Sequence, residues 1–135
     1  MTTTPPAVTR LVTHVELDEA HTFDRQMSVS ARLEAELSDG RSLVLLDDRG
    51  WAASVLGDGS IRDHLTVESV EDDARTVVGP DEPFGDETRE QAAAAHWTAL
   101  AARLARHGVP ADGAALATLP HDVVLGEHLR AWAGF

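Results

Sequence analysis

The chain of 135 residues contains no cysteine, lysine, asparagine or tyrosine. Without cysteine it can form neither a disulfide nor a thiolate metal site, and thiol catalysis is excluded. Alanine, arginine, aspartate and glycine are instead abundant, a bias typical of proteins encoded by GC-rich bacterial genomes. The composition therefore favours a bacterial protein of a reducing compartment.

Long apolar runs are missing as well. The sequence has no stretch of about 18 apolar residues, the length that a membrane-spanning helix needs. The N-terminal MTTTPP segment has neither a basic region nor an apolar run of the kind that precedes a signal cleavage site. We therefore expect a cytoplasmic protein that is neither exported nor associated with a membrane.

The length of the chain fits one hydrophobic core. Residues 1–7 are rich in threonine and proline, a composition that buries little apolar surface, and they predict a flexible lead-in. Residues 8–135 are predicted to form a single α+β domain.

Negative charge dominates the chain. Its 23 Asp and Glu residues against 11 Lys and Arg residues give a net charge of -12, which repels nucleic-acid phosphates. Residues 63–87 carry nine acids and one base, Arg75. The sequence therefore excludes nucleic acid as a partner and indicates a basic protein.

Alternation of apolar and polar residues with a period of two predicts strands in the N-terminal half. It covers residues 9–17 and, most clearly, residues 27–37, and the Asp39-Gly40 turn leads to a strand at 42–46. A second turn at 47–50 and a strand at 51–56 follow. Because these connections are short, we expect an antiparallel meander of about four strands.

Helical spacing replaces this pattern in the C-terminal half. Residues 66–78 fit either a helix capped by Thr66 or an edge strand, and both interpretations stay open. Further helices are predicted at 87–107, 111–119 and 127–133. The predicted fold class is α+β, with the C-terminal helices covering one face of the meander.

Four side chains that can bind metal lie near the end of the first strand: His14, Glu16, Asp18 and His21. Imidazole and carboxylate ligands suit zinc, manganese or iron. Glu16 and Asp18 on the solvent side of an edge strand need no metal to be there, and this interpretation is favoured over a metal site. The sequence therefore predicts no cofactor and no bound metal, and keeps these four as an alternative site.

Residues suited to a protein partner lie in two places. An arginine and an indole at a strand entrance, Arg49 and Trp51, can bind an anion or an aromatic side chain. Within the acidic segment, the carboxylates that we expect to meet a basic partner are Glu71, Asp72, Asp73, Asp81 and Glu82.

Three classes of function remain open. No G-x-S-x-G elbow, P-loop or dinucleotide-binding glycine pattern occurs, which favours a protein without catalysis. The first hypothesis is a cytosolic protein-binding module, either an immunity- or antitoxin-like inhibitor or a regulatory adaptor. The alternatives are a domain that binds a small molecule or metal, through His14, Glu16 and His21 or the sheet face, and an enzyme of unrecognised type.

Overall fold

The computed structural model describes residues 4–135 of the chain, which form one sheet, four helices and two single 3-10 turns. The strands are β1 (Val8–Leu17), β2 (Gln26–Leu37), β3 (Ser42–Ser54) and β4 (His121–Leu125). The helices are α1 (Val67–Val77), α2 (Arg89–Arg106), α3 (Gly113–Leu116) and α4 (Glu127–Ala133), and the 3-10 turns are Glu19–His21 and Ile61–His64. No helix among these residues is both long enough and apolar enough to span a membrane.

The sheet has the strand order β3-β2-β1-β4. Its β1–β2 and β2–β3 pairs are antiparallel, whereas β4 runs parallel to β1. The α+β class is confirmed, but the purely antiparallel meander is wrong. The fourth strand comes from the C-terminal half. A parallel neighbour requires a long connection, and here the chain between β1 and β4 contains β2 and β3 as well as α1, α2 and α3.

The predicted turn at 47–50 is also wrong, because β3 continues through it as a single strand. Two β-bulges accommodate the residues of β3 that exceed those of the paired stretch of β2. Val44 and Leu46 pair with successive residues of β2, and Asp47 and Asp48 lie opposite the single residue Arg32. After the second bulge Arg49 pairs with the buried Ala31 and therefore points toward α1, where it contacts the backbone of Val77.

Residues of the helices share two buried clusters with alternate residues of β2. In the first cluster, Leu33 and Ala35 lie with Leu100 and Leu104 of α2. In the second, Met27 and Val29 lie with residues of α1 and α4. Trp51 packs against both clusters from β3.

Capping residues fix where the two longer helices begin. Thr66 and Ser69 form a reciprocal capping box at the start of α1, which decides between helix and edge strand at 66–78 in favour of a helix. Thr88 and Gln91 form the equivalent box at the start of α2.

The predicted lead-in lies partly outside the described residues, since 1–3 are not among them. Residues 4–7 precede β1 without regular structure. Ala7 at the end of this segment exchanges two hydrogen bonds with Ser38, of 3.0 and 2.8 Å.

We predict that truncating β2 on its buried face destabilises the protein far more than truncating it on the opposite face. Leu33 is 0% exposed, so Leu33→Ala should lower the free energy of unfolding by about 2 to 5 kcal/mol. Ser30→Ala, on the exposed face of the same strand, should change it by less than about 0.5 kcal/mol. Urea denaturation measures both, and equal effects would contradict the face assignment.

Candidate functional site

A cavity of about 330 Å³ lies between β3 and α2, and we call it the β3–α2 groove. Its apolar wall consists of Leu46 and Leu100 with three alanines of α2. Its polar wall carries charges of both signs from β3, from α2 and from the connection between α1 and α2. The charged or titratable residues are Arg49, Asp81, Glu82, Glu87, His96 and Arg103.

Arg49 connects β3 to the α1–α2 connection. Its Nη1 donates to Asp81 Oδ1 at 2.8 Å and to the Val77 carbonyl at 3.3 Å. Its side chain is only 22% exposed, whereas that of Asp81 is 77% exposed. The pair therefore brings an otherwise solvated carboxylate to the mouth of the groove.

Arg103 contributes a second guanidinium, from the C-terminal part of α2. Its Nη1 donates to the Leu45 carbonyl of β3. Seven of the 11 arginines have a carboxylate within 4.0 Å, but Arg103 has none among the described residues. It therefore adds a cation to the groove that no acid of residues 4–135 neutralises.

His96 also lines the groove, from the middle of α2. Burial lowers the pKa of His96 below its ordinary value, and the charge of Arg49 lowers it further, against opposing effects of Asp81 and the Val78 backbone. Its Nε2 is buried and has no hydrogen-bond partner among the described residues. Near neutral pH the groove therefore contains an uncharged imidazole with one unused nitrogen.

The connection between α1 and α2 forms the acidic mouth of the groove. Glu82 and Glu87 are exposed there beside Asp81. Phe84, in the same connection, is 90% exposed. We call Asp81, Glu82 and Glu87 the acidic rim.

The structure brings together only some of the residues proposed from the sequence for a partner. Arg49, Asp81 and Glu82 line one groove. Trp51 instead lies half-buried between the two core clusters. The remaining acids, Glu71, Asp72 and Asp73, lie on α1, where Glu71 and Asp72 each approach Arg75 to 3.6 Å.

The four candidate metal ligands make separate contacts. His14 pairs with Glu34 at 2.6 Å, and His21 pairs with Asp18 at 2.8 Å. Glu16 accepts hydrogen bonds from backbone N–H groups. Across residues 4–135 no three histidine or acidic side chains come together as a metal ion would require.

Glu16 acts as the N-terminal cap of α4. Its Oε1 accepts from the N–H of Leu129 at 2.9 Å and of Leu17 at 2.8 Å. The residue at the cap position, Gly126, has no side chain to do this, and a Cβ there would overlap the Glu16 carboxylate. The carboxylate thus satisfies one orphan donor of α4, the Leu129 N–H, from a neighbouring strand.

The sheet face opposite the buried residues of β2 also carries many charges, and several of them pair with each other. Arg10 of β1 binds Glu36 through two hydrogen bonds, of 2.6 and 2.8 Å, and also binds Asp122 of β4. The hydrogen bonds from Arg10 lower the pKa of Glu36 below its ordinary value. The cation Arg10 on this face is therefore paired with carboxylates, whereas Arg103 in the groove has none within 4.0 Å among residues 4–135.

Sequence reasoning missed two functional candidates, His96 and Arg103. Both lie on one stripe of α2 with Ala92, Ala95 and Ala99, at the spacings of three and four residues that define a helix face. That stripe is visible in the sequence. The bulges of β3 are not visible there, and they decide which residues face it.

Comparisons with protein-family models, with curated proteins and with solved structures each found no match.

We predict that Glu16 and Gly126 act as one unit. Glu16→Ala should lower the free energy of unfolding by about 0.5 to 2 kcal/mol, the usual value of a helix cap. Gly126→Ala should have a similar effect, because the new methyl group displaces the same carboxylate. Urea denaturation should show that the double variant is little worse than either single one, and additive effects would contradict the coupling.

We predict that the charge of Arg49 adds to the effect of burial in lowering the pKa of His96. Arg49→Met should raise the pKa of His96, because it removes a cation while Asp81 remains. NMR titration of the imidazole measures the change, and Arg103→Met is the control, expected to leave the pKa of His96 nearly unaltered. An unchanged pKa in Arg49→Met would contradict the assignment.

The lowered pKa of His96 also makes the stability of the protein depend on pH. Since the pKa of His96 is lower in the folded than in the unfolded chain, the unfolded chain takes up the proton first as the pH falls. His96 should therefore reduce stability as the pH drops below about 6.5 and have no such effect above it.

Proposed function

We propose that the protein is a small cytosolic protein-binding module, an immunity- or antitoxin-like inhibitor or a regulatory adaptor, that engages a basic partner at the β3–α2 groove. The observation that carries the proposal is the acidic rim, where exposed carboxylates from the α1–α2 connection converge on one concave surface. In this arrangement the helices cover the apolar face of the sheet, and the groove lies at the β3 edge of that layer.

Two of the three rim carboxylates, Glu82 and Glu87, are available to a partner, whereas Asp81 pairs with Arg49. Glu87 has no cationic side chain within 4.0 Å among residues 4–135. Arg89 comes no closer than 4.0 Å to Glu82, and both of these side chains are 87% exposed. Together with the net charge of -12, this rim creates a field that speeds the encounter with a basic protein and selects it over acidic ones.

Phe84 supplies the apolar part of the proposed surface. It is 90% exposed within three residues of Asp81 and Glu87, in a connection stiffened by Pro80 and Pro83. Aromatic side chains surrounded by polar groups are frequent anchors of protein interfaces. An exposed phenylalanine inside an acidic rim therefore fits a basic partner that also presents an apolar contact.

A second candidate function is the binding of a small molecule. It is favoured by the volume of the groove, about 330 Å³, which is at the lower end of the range for ligand pockets. The unused Nε2 of His96 adds a hydrogen-bonding group to such a pocket.

We predict that neutralising the acidic rim abolishes partner recovery. The test variant is Asp81→Asn with Glu82→Gln and Glu87→Gln, used as bait in an extract of the organism's own cells. The wild type should recover a basic protein that the variant does not. Recovery should fall as salt rises from about 50 to about 500 mM, because salt screens surface charges.

The matched control neutralises the same number of exposed acids away from the groove: Asp58→Asn with Asp63→Asn and Glu127→Gln. It should recover the partner as the wild type does. If rim variant and wild type recover the same proteins, or neither recovers any, the acidic rim is not the binding site. The hypothesis that the groove binds a small molecule is then favoured.

A further inference from the structure

The two ends of the β3–α2 groove carry opposite charges. The acidic rim lies at the end where α2 begins, near Ala92, and Arg103 lies toward the C-terminus of the same helix. At 1.5 Å per helical residue, Ala92 and Arg103 are separated by about 16 Å along the axis. The groove therefore has an acidic end and a basic end.

The wall between these ends suits an extended backbone. Ala95 and Ala99 of α2 are exposed and short, and they leave room for a chain to approach the helix closely. Leu46 and Leu100 provide apolar contact on the inner side. An extended chain advances about 3.3 Å per residue, so five residues cover the distance between the charged ends.

Arg103 differs from the other arginines that have no carboxylate within 4.0 Å among residues 4–135. Its bond to the Leu45 carbonyl positions the guanidinium within the groove, and most of its five N–H donors stay unused. A carboxylate is the group that a planar guanidinium binds best. Arg106, one helical turn further on, is exposed and does not line the groove.

We propose that the groove binds an extended peptide segment of about five residues whose basic side chain meets the acidic rim and whose carboxylate meets Arg103. This inference rests on the proposed function and specifies its ligand: a segment of opposite charges at fixed spacing instead of a uniformly basic one. A free amino acid is too short to reach both ends, so the spacing itself is part of the recognition.

The test uses three capped peptides, acetylated and amidated: Lys-Val-Ala-Val-Glu, Lys-Val-Ala-Val-Gln and Gln-Val-Ala-Val-Glu. Each is titrated into isotope-labelled protein while the backbone amide signals of β3 and α2 are followed by NMR, which detects dissociation constants up to about 10 mM. With the wild type, replacing the peptide's Glu by Gln should weaken binding about three- to tenfold.

The protein variants assign that loss to one side chain. In Arg103→Gln the Glu and Gln peptides should bind equally, whereas in Arg106→Gln the wild-type difference should persist. The dispersion of the amide signals verifies that both variants are folded. A difference that survives in Arg103→Gln would overturn the role of Arg103.

The outcomes separate this inference from the proposed function. If the lysine matters but the Glu and Gln peptides bind the wild type alike, the basic end is not used and the inference fails, while the acidic rim still stands. If no peptide shifts the groove signals at about 10 mM, the peptide site is overturned. Recovery of a basic partner by the rim-dependent experiment decides the proposed function independently.

Discussion

Burial of one face of β2 constrains the elements around it. This strand pairs with both β1 and β3, and its inward residues belong to both core clusters. A shift of one residue would turn Leu33 and its neighbours to solvent, so partners must adapt to the register of β2. In β3 the adaptation takes the form of two bulges, and these direct Arg49 toward the helices.

The distribution of ion pairs explains why the groove, and not the sheet, is the candidate site. On the sheet face opposite the buried residues of β2, Arg10 pairs with both Glu36 and Asp122. In the groove, Arg49 pairs with Asp81, whereas Arg103 of α2 and Glu87 of the α1–α2 connection have no ion-pair partner within 4.0 Å among residues 4–135. Charges that a fold leaves unpaired on a concave surface are those that a partner can neutralise.

Much of the secondary structure could be predicted from local patterns. Strict alternation identified β2, and helical spacing identified α2 and α4, but the pattern at 66–78 left α1 open between a helix and an edge strand. The strand β4 was missed because five residues bordered by Pro120 carry too short a pattern, and its pairing with β1 is a tertiary contact.

The candidate site was harder to predict from the sequence than the fold, and for a related reason. Asp47-Asp48-Arg49-Gly50 has the composition of a turn, and only the register imposed by β2 makes it part of a strand. The sequence therefore singled out Arg49, Asp81 and Glu82 but not their common location. His96 and Arg103 become candidates only once α2 lies beside β3.

The capping of α4 by Glu16 has a consequence for the order of folding. The bond from the Leu129 N–H to Glu16 joins residues 113 positions apart, and α4 has only seven residues. A helix of two turns is unstable in isolation, so α4 must await the pairing of β1 with β4 that brings its cap into place. During synthesis β1 emerges from the ribosome well before β4, and the β1 edge that pairs with β4 consequently stays unpaired until β4 has emerged.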